Sequence, residues 1–319
     1  MSSHESWQNR FSSDHLRKGQ DVPGAMAVIA GSVSGLLART VTAPLDTVKI
    51  RHQLQLGHEK KYIKIISTFK TIVREEGVRA LWKGNVPASM MYVLYGSLQF
   101  GSYAWLNKMS NEYYPNISPQ INSVLVGGLA GMSSMMAIYP FDVLRTRFIA
   151  NRNTRLVKMA EIVKNIQRTE GPIGFFRGYI WSTLTISLSA AVTFGTYETL
   201  NIYSETSGIS WLGSSSSTVA GLLSKTITFP LDTVRRRIQI IYSQDISSYT
   251  ADPGAYKIYR DSNFLSIALR MARHEGISSL YKGLSMALCK STPTTMISLW
   301  VFEHAIDIMQ HQKQDQTLM

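Results

Sequence analysis

Cysteine is almost absent: Cys289 is the only one among 319 residues, so no disulfide forms within the chain. Charged side chains are also scarce, at 17% against the roughly 25% usual for soluble domains. The first 22 residues lack an apolar core, and Glu5 and Asp14 stand among Arg10, Arg17 and Lys18. That pattern suits neither a secretory signal nor an acid-free transit peptide, and a short polar tail over 1–23 is expected. The seven histidines show no metal-ligand spacing. A Walker loop, a nucleophile elbow and an acid–base carboxylate pair are all missing. The expectation is therefore no enzyme, no metal and no resident cofactor.

What is present points to a membrane. Apolar residues reach 45%, yet the mean hydropathy is only −0.03, too polar for uniformly greasy spans. Helices with one lipid face and one wet face, surrounding a polar cavity, reconcile the two values. The net charge of +12 admits nucleic acid, an anionic surface or an acidic substrate, so its distribution has to decide.

Internal repetition sets the architecture. Pro44-Leu45-Asp46-Thr47-Val48-Lys49-Ile50-Arg51 returns as Pro140-Phe141-Asp142-Val143-Leu144-Arg145-Thr146-Arg147 and again as Pro230-Leu231-Asp232-Thr233-Val234-Arg235-Arg236-Arg237. A second motif follows each copy: Glu76-Gly77 with Trp82-Lys83-Gly84, Glu170-Gly171 with Phe176-Arg177-Gly178, and Glu275-Gly276 with Tyr281-Lys282-Gly283. Small residues precede each proline, Gly31 and Gly35, Gly127 and Gly131, Ser217 and Gly221, a spacing that lets helix backbones approach closely in lipid. Each repeat reads as a long helix, a basic segment with a short amphipathic helix, and a second long helix. The odd helices are expected at 24–53, 119–149 and 211–242, the even ones at 85–108, 179–204 and 284–310. The expected fold is all-α and membrane-spanning: six transmembrane helices in three pseudosymmetric two-helix repeats (24–115, 116–207 and 208–310) with a C-terminal tail at 311–319.

From its signature to the start of its even helix each repeat carries at least eight basic residues, for example Arg51, Lys60, Lys61, Lys64 and Lys70 in the first. The opposite connections, 109–118 and 205–210, carry none. Basic loops face the negative side of an energised membrane, so the +12 reads as orientation and not as a nucleic-acid footprint. Six crossings put both termini on the other side. Proline inside each odd helix removes a backbone hydrogen bond and bends it. The bends bring Asp46, Asp142 and Asp232 toward Lys49, Arg145 and Arg235. Pairing between repeats is favoured, because ionisable groups at membrane depth are costly unless paired. The alternative is local pairing at i and i+3 along each helix.

The triplicated motifs closely resemble those of the mitochondrial carrier family over residues 24–310. The runs from Leu16 to Arg51 and from Trp82 to Tyr103 resemble its thiamine pyrophosphate branch, as found in fungi. The resemblance implies a transporter of the mitochondrial inner membrane, with basic segments in the matrix and termini toward the intermembrane space. It implies that the charged ring is a matrix gate of Asp46, Lys49, Asp142, Arg145, Asp232 and Arg235, braced by Gln53 and Gln239, with Ile149 where a third glutamine would stand. At the cytoplasmic end the family pairs an acidic with a basic residue on each even helix. Here the matching positions read Tyr103-Ala104 with Asn107, Tyr197-Glu198 with Asn201, and Phe302-Glu303 with Ile306. No complete pair can form, and a weaker gate resting on Tyr103, Tyr197, Glu198, Phe302 and Glu303 is expected.

The family's substrate contacts fall on Met91, Thr185 and Lys290, seven places after Gly84, Gly178 and Gly283, and on Tyr92, Ile186 and Ser291 beside them. Arg39 and Lys225, five places before their prolines, should join Lys290 around the cavity, unless they snorkel to the surface. Three cations call for a multiply charged anion, and phosphate is the natural match. By resemblance that anion is thiamine pyrophosphate. Tyr92 and Tyr95 then face its thiazolium or, alternatively, pack as interfacial side chains. Gln99, Thr185 and Ser189 supply uncharged hydrogen bonds. Alternatives are a nucleotide or coenzyme A as cargo, and a non-transporting receptor or scaffold. Cardiolipin at the starts of the even helices and a monomeric state complete the expectations.

Overall fold

The computed structural model describes residues 24–56, 61–62, 64–114, 118–153, 157–207, 210–243, 256, 258–260 and 263–318. The expected tail 1–23 lies outside them. Among the described residues nine α-helices occur: α1 (Gly24–Leu54), α2 (Ile65–Glu76), α3 (Asn85–Tyr113), α4 (Pro119–Ala150), α5 (Met159–Thr169), α6 (Tyr179–Ser207), α7 (Ser210–Ile241), α8 (Phe264–His274) and α9 (Leu284–Leu318). A 3-10 turn leads into each even long helix, at Val78–Trp82, Pro172–Phe176 and Ile277–Tyr281. The fold is thus all-α, three repeats of long helix, short helix, turn and long helix.

The six long helices have 29 to 35 residues, beyond the roughly 20 that cross a bilayer core. Met26–Leu54 and Asn122–Ala150 are apolar enough to be recognised as spans on composition alone. The even helices run on to Tyr113, Ser207 and Leu318 instead of 108, 204 and 310. No proline or glycine interrupts those extra turns, whereas Pro115 and Gly208 follow the first two. Each signature proline lies inside a continuous helix.

The short helices bury one stripe each. Ile162 and Ile166 of α5 are buried one turn apart, as are Phe264, Ile267 and Met271 of α8. Glycines at φ between 68° and 88° (Gly77 and Gly84, Gly171 and Gly178, Gly276 and Gly283) close every short helix and open every even one. Left-handed or extended-mirror backbone of that kind suits glycine alone. The second glycine of each pair also admits a close approach. An added Cβ would lie 3.0 Å from the Arg145 carbonyl at Gly84, 3.1 Å from the Tyr139 hydroxyl at Gly178, and 3.0 Å from the Lys49 carbonyl at Gly283. Repeat one meets two, two meets its own first helix beside three, and three meets one. The small residues upstream do not play this part: a Cβ at Gly127, Gly131 or Gly221 would meet open space, so the close packing expected there is corrected.

Two compact parts make up the described chain. In Thr42–Ser291, α3 lies along α4 and α6 along α7. Its largest apolar cluster joins Ile50 and Leu54, Ile149, Val234 and Ile240, and Phe264 and Met271, so all three repeats share one core. The second part holds the described residues up to Val41 and those from Thr292. There Ala30 and Ile306 are buried among Met26, Ala27, Phe302, Ala305 and Met309.

Candidate functional site

Within Thr42–Ser291 the turn after each signature proline presents one carboxylate and one cation, and these pair between repeats. Arg145 donates to Asp46, Arg235 donates to Asp142, and Lys49 Nζ lies 2.7 Å from Asp232 Oδ2. The pairs are cyclic, one to two, two to three and three to one, and their side chains are largely dry. No helix could close them locally, since the acid of each repeat faces the base of the next.

Gln53 Nε2 donates to Asp232 at 3.2 Å, and Gln239 Nε2 donates to Asp142 at 2.9 Å. Ile149, at the third such position, is buried in the shared core. Asp46 is held instead by Lys290, whose Nζ lies 2.6 and 2.7 Å from its two oxygens. Arg236 was not singled out from sequence, because Ile50 and Thr146 stand at its equivalents. It donates to Asp142 at 3.0 Å, Thr146 at 2.6 Å and Gln239 at 3.1 Å. Asp142 is therefore held by three donor residues, against two at Asp46 and two at Asp232.

A second layer lies just beyond the ring, also unforeseen. Arg51, Arg147 and Arg237, the last basic residues of the signatures, pair with the glutamates of the Glu-Gly motifs. Arg51 Nη2 is 2.8 Å from Glu76, Arg147 Nη1 2.6 Å from Glu170, and Arg237 Nη2 2.8 Å from Glu275 within a two-pronged contact. Each arginine also donates to a carbonyl of the next repeat: Asn151 at 2.8 Å, Gln239 at 3.1 Å and Gln55 at 3.0 Å. The triplicate spacing of Glu76, Glu170 and Glu275 was the signal available in sequence. Burial pushes the Lys83 ammonium below its ordinary value, against the opposing pull of Glu76. At Glu275 burial raises and the Arg237 guanidinium lowers, and the net is a carboxyl below its ordinary value. Burial and then the Glu275 carboxylate raise the Tyr259 hydroxyl, which donates to that carboxylate at 2.7 Å.

The other candidates are distributed as follows. Lys225 is half-buried on α7. Met91 packs on the apolar cluster of Met135, Ile138 and Tyr139. Thr185 is buried with its hydroxyl donated to the Trp181 carbonyl at 2.7 Å. Ser189 and Ser224 share a 2.8 Å hydrogen bond between α6 and α7. Tyr95, Ile186 and Ser291 are exposed, while Tyr92 and Gln99 are half-buried. Arg39 is half-buried in the smaller part.

At the far ends of the even helices, Tyr103, Tyr197 and Glu198 are exposed in the larger part. Glu303 is exposed and Phe302 half-buried in the smaller. Asn107, where the basic partner would stand, accepts from Asn122 at 3.1 Å. Two cavities open at the starts of even helices. One of about 390 Å³ is lined by Trp82, Lys83, Gly84 and Val86, and one of about 260 Å³ by Arg177, Gly178, Tyr179 and Trp181.

The family model for mitochondrial carrier proteins matches residues 20–114, 118–207 and 210–313. The mitochondrial thiamine pyrophosphate carrier 1 of Eremothecium gossypii is 56% identical over 93% of this chain and 93% of its own. Its counterpart in Kluyveromyces lactis is 49% identical over 93% and 95%, and that in Candida albicans 38% over 93% and 96%.

Proposed function

This chain belongs to the mitochondrial carrier family, and on that premise we propose that it moves thiamine pyrophosphate across the mitochondrial inner membrane into the matrix. It is a transporter and not an enzyme, and thiamine pyrophosphate is its cargo, not a cofactor. Transport proceeds by alternating access, in exchange for another phosphorylated anion.

The observation that carries this reading is the cyclic set of ion pairs with Lys290 at its edge. Asp46, Lys49, Asp142, Arg145, Asp232 and Arg235 close the matrix end, with Gln53 and Gln239 as braces. Lys225 and Lys290 attract the pyrophosphate, and Arg39 is assigned to the same task. Tyr92 and Tyr95 take the thiazolium, while Met91, Gln99, Thr185, Ile186 and Ser291 serve as further contacts. Binding opens the ring only because the intermediate holds the substrate more tightly than the resting state does. At the cytoplasmic end Tyr103 and Tyr197 close without ion pairs, so that gate is the weaker.

The basic segments face the matrix and both termini face the intermembrane space. The cavities beside Gly84 and Gly178, at the starts of even helices, are assigned to cardiolipin. A monomer suffices, since the three repeats supply the whole ring.

The test is uptake of labelled thiamine pyrophosphate into liposomes holding the purified protein, with unlabelled competitors. Inhibition by thiamine phosphates supports the reading. Uptake of a nucleotide with none of thiamine pyrophosphate keeps the carrier and overturns the cargo.

A further inference from the structure

Beyond the extra Arg236 at Asp142, the ring is asymmetric in its braces. Two ion pairs carry a glutamine from the odd helix, and the third, Arg145–Asp46, has the buried Ile149 in that place. Lys290 fills the gap from the opposite direction. It comes from α9, an even helix, whereas Asp46, Arg145 and every other ring member come from odd helices. It grips both oxygens of Asp46, at 2.6 and 2.7 Å. Its side chain is also the most open cation of the ring, 23% exposed against 13% for Lys49, 11% for Arg145 and 8% for Arg235.

We propose that Lys290 is a shared cation: without substrate it is the third brace of the ring, and an incoming pyrophosphate draws it off Asp46. The ring is then unlocked at Arg145–Asp46, the one pair with no glutamine to hold it. A lysine suits this exchange better than an arginine. Its ammonium is a rotatable point charge on a flexible stem, indifferent to whether one carboxylate or one phosphate receives it. The multiply charged phosphate competes well against a single carboxylate that keeps Arg145. Substrate binding and gate release thus draw on the same ammonium, which supplies the differential affinity that coupling requires. The release step rests on the proposed function; the brace does not.

The experiment is thermal unfolding of the purified carrier in detergent, alone and titrated with inorganic pyrophosphate or thiamine pyrophosphate. Without ligand, Lys290→Met is expected to lower the midpoint by about 2–4 °C. In an Asp46→Asn background it should lower it no further. Ile149→Gln should restore the midpoint of Lys290→Met but not its response to pyrophosphate. Asp46→Asn should tighten pyrophosphate binding several-fold, because Lys290 is no longer held. Asp142→Asn, which removes the same charge from the ring without touching Lys290, should not. Equal tightening by both carboxylate variants, or an unchanged midpoint in Lys290→Met, overturns the proposal. A wild-type protein that responds to neither ligand brings down the proposed cargo and the release step together. The ligand-free comparison of Lys290→Met with Asp46→Asn then still decides the brace.

Discussion

Glu76 and Lys83 meet at 2.5 Å with 1% and 4% of their side chains exposed, and Lys83 then reaches the carbonyls of Asn151 at 2.9 Å and Asn153 at 2.8 Å. One contact therefore joins the short helix of repeat one, the start of its even helix and the chain beyond α4. The same glutamate holds Arg51, so a single carboxylate pairs with two buried cations.

Removing that carboxylate leaves both cations stranded, and breaking a buried pair in this way costs about 3–5 kcal/mol. Glu76→Gln is expected to lower the yield of folded carrier in membranes and its unfolding midpoint. Glu170→Gln and Glu275→Gln should behave alike, as their arginines occupy equivalent places. Fluorescence-detected size exclusion and thermal unfolding check this.

Two glycines separate close approach from mere smallness. Gly84→Ala has to adopt φ near 80° and push against the Arg145 carbonyl and the Ile149 side chain, each 3.0 Å away. Substantial destabilisation and lost uptake are expected, with about 1 kcal/mol from the backbone alone. Gly127→Ala faces open space inside a helix and should be neutral or slightly stabilising. Parallel unfolding curves of the two variants decide it.

Charge reversal should expose the unequal partners of the ring. Lys49→Asp and Asp232→Lys are each expected to abolish uptake, and the double reversal to recover part of it. Reversing Asp142 and Arg235 together should recover nothing, because Arg236 would then face an arginine in place of the carboxylate it holds at 3.0 Å. Liposome uptake by these four variants makes the comparison.

The Arg237–Glu275–Tyr259 contact carries a pH dependence. The Glu275 carboxyl is held below its ordinary value of 4.5, so its stabilisation is fully present above that pH and is lost as pH falls through the folded value. The Tyr259 hydroxyl is raised above its ordinary 10.0, so its contribution is present below that pH and fades as pH rises through the folded value. Unfolding midpoints across pH should show both limbs in the wild type. Glu275→Gln should flatten the acid one.

Much of this was legible in one dimension because it occurs three times. Asp46, Asp142 and Asp232 with their cations stood out by position, and the favoured pairing between repeats is what the geometry shows. Asymmetric features were harder to read. Arg236 breaks the pattern of Ile50 and Thr146, and nothing local says that it reaches Asp142. Lys290 was assigned to the substrate, and only folding reveals Asp46 in its grip, 244 positions away. Gly127 and Gly131 show the opposite error: their spacing signals close packing, but spacing does not say what stands on that face.

The sequence by itself determined the repeat, the helices and the list of charged residues that must be paired. Periodicity, proline and glycine positions and the cost of an unpaired charge in lipid act locally, so they can be read along the chain. Only the tertiary structure decided which cation serves which carboxylate. Each carboxylate has several cations within reach of the same few turns, and the choice falls to whichever helix the packing brings nearest.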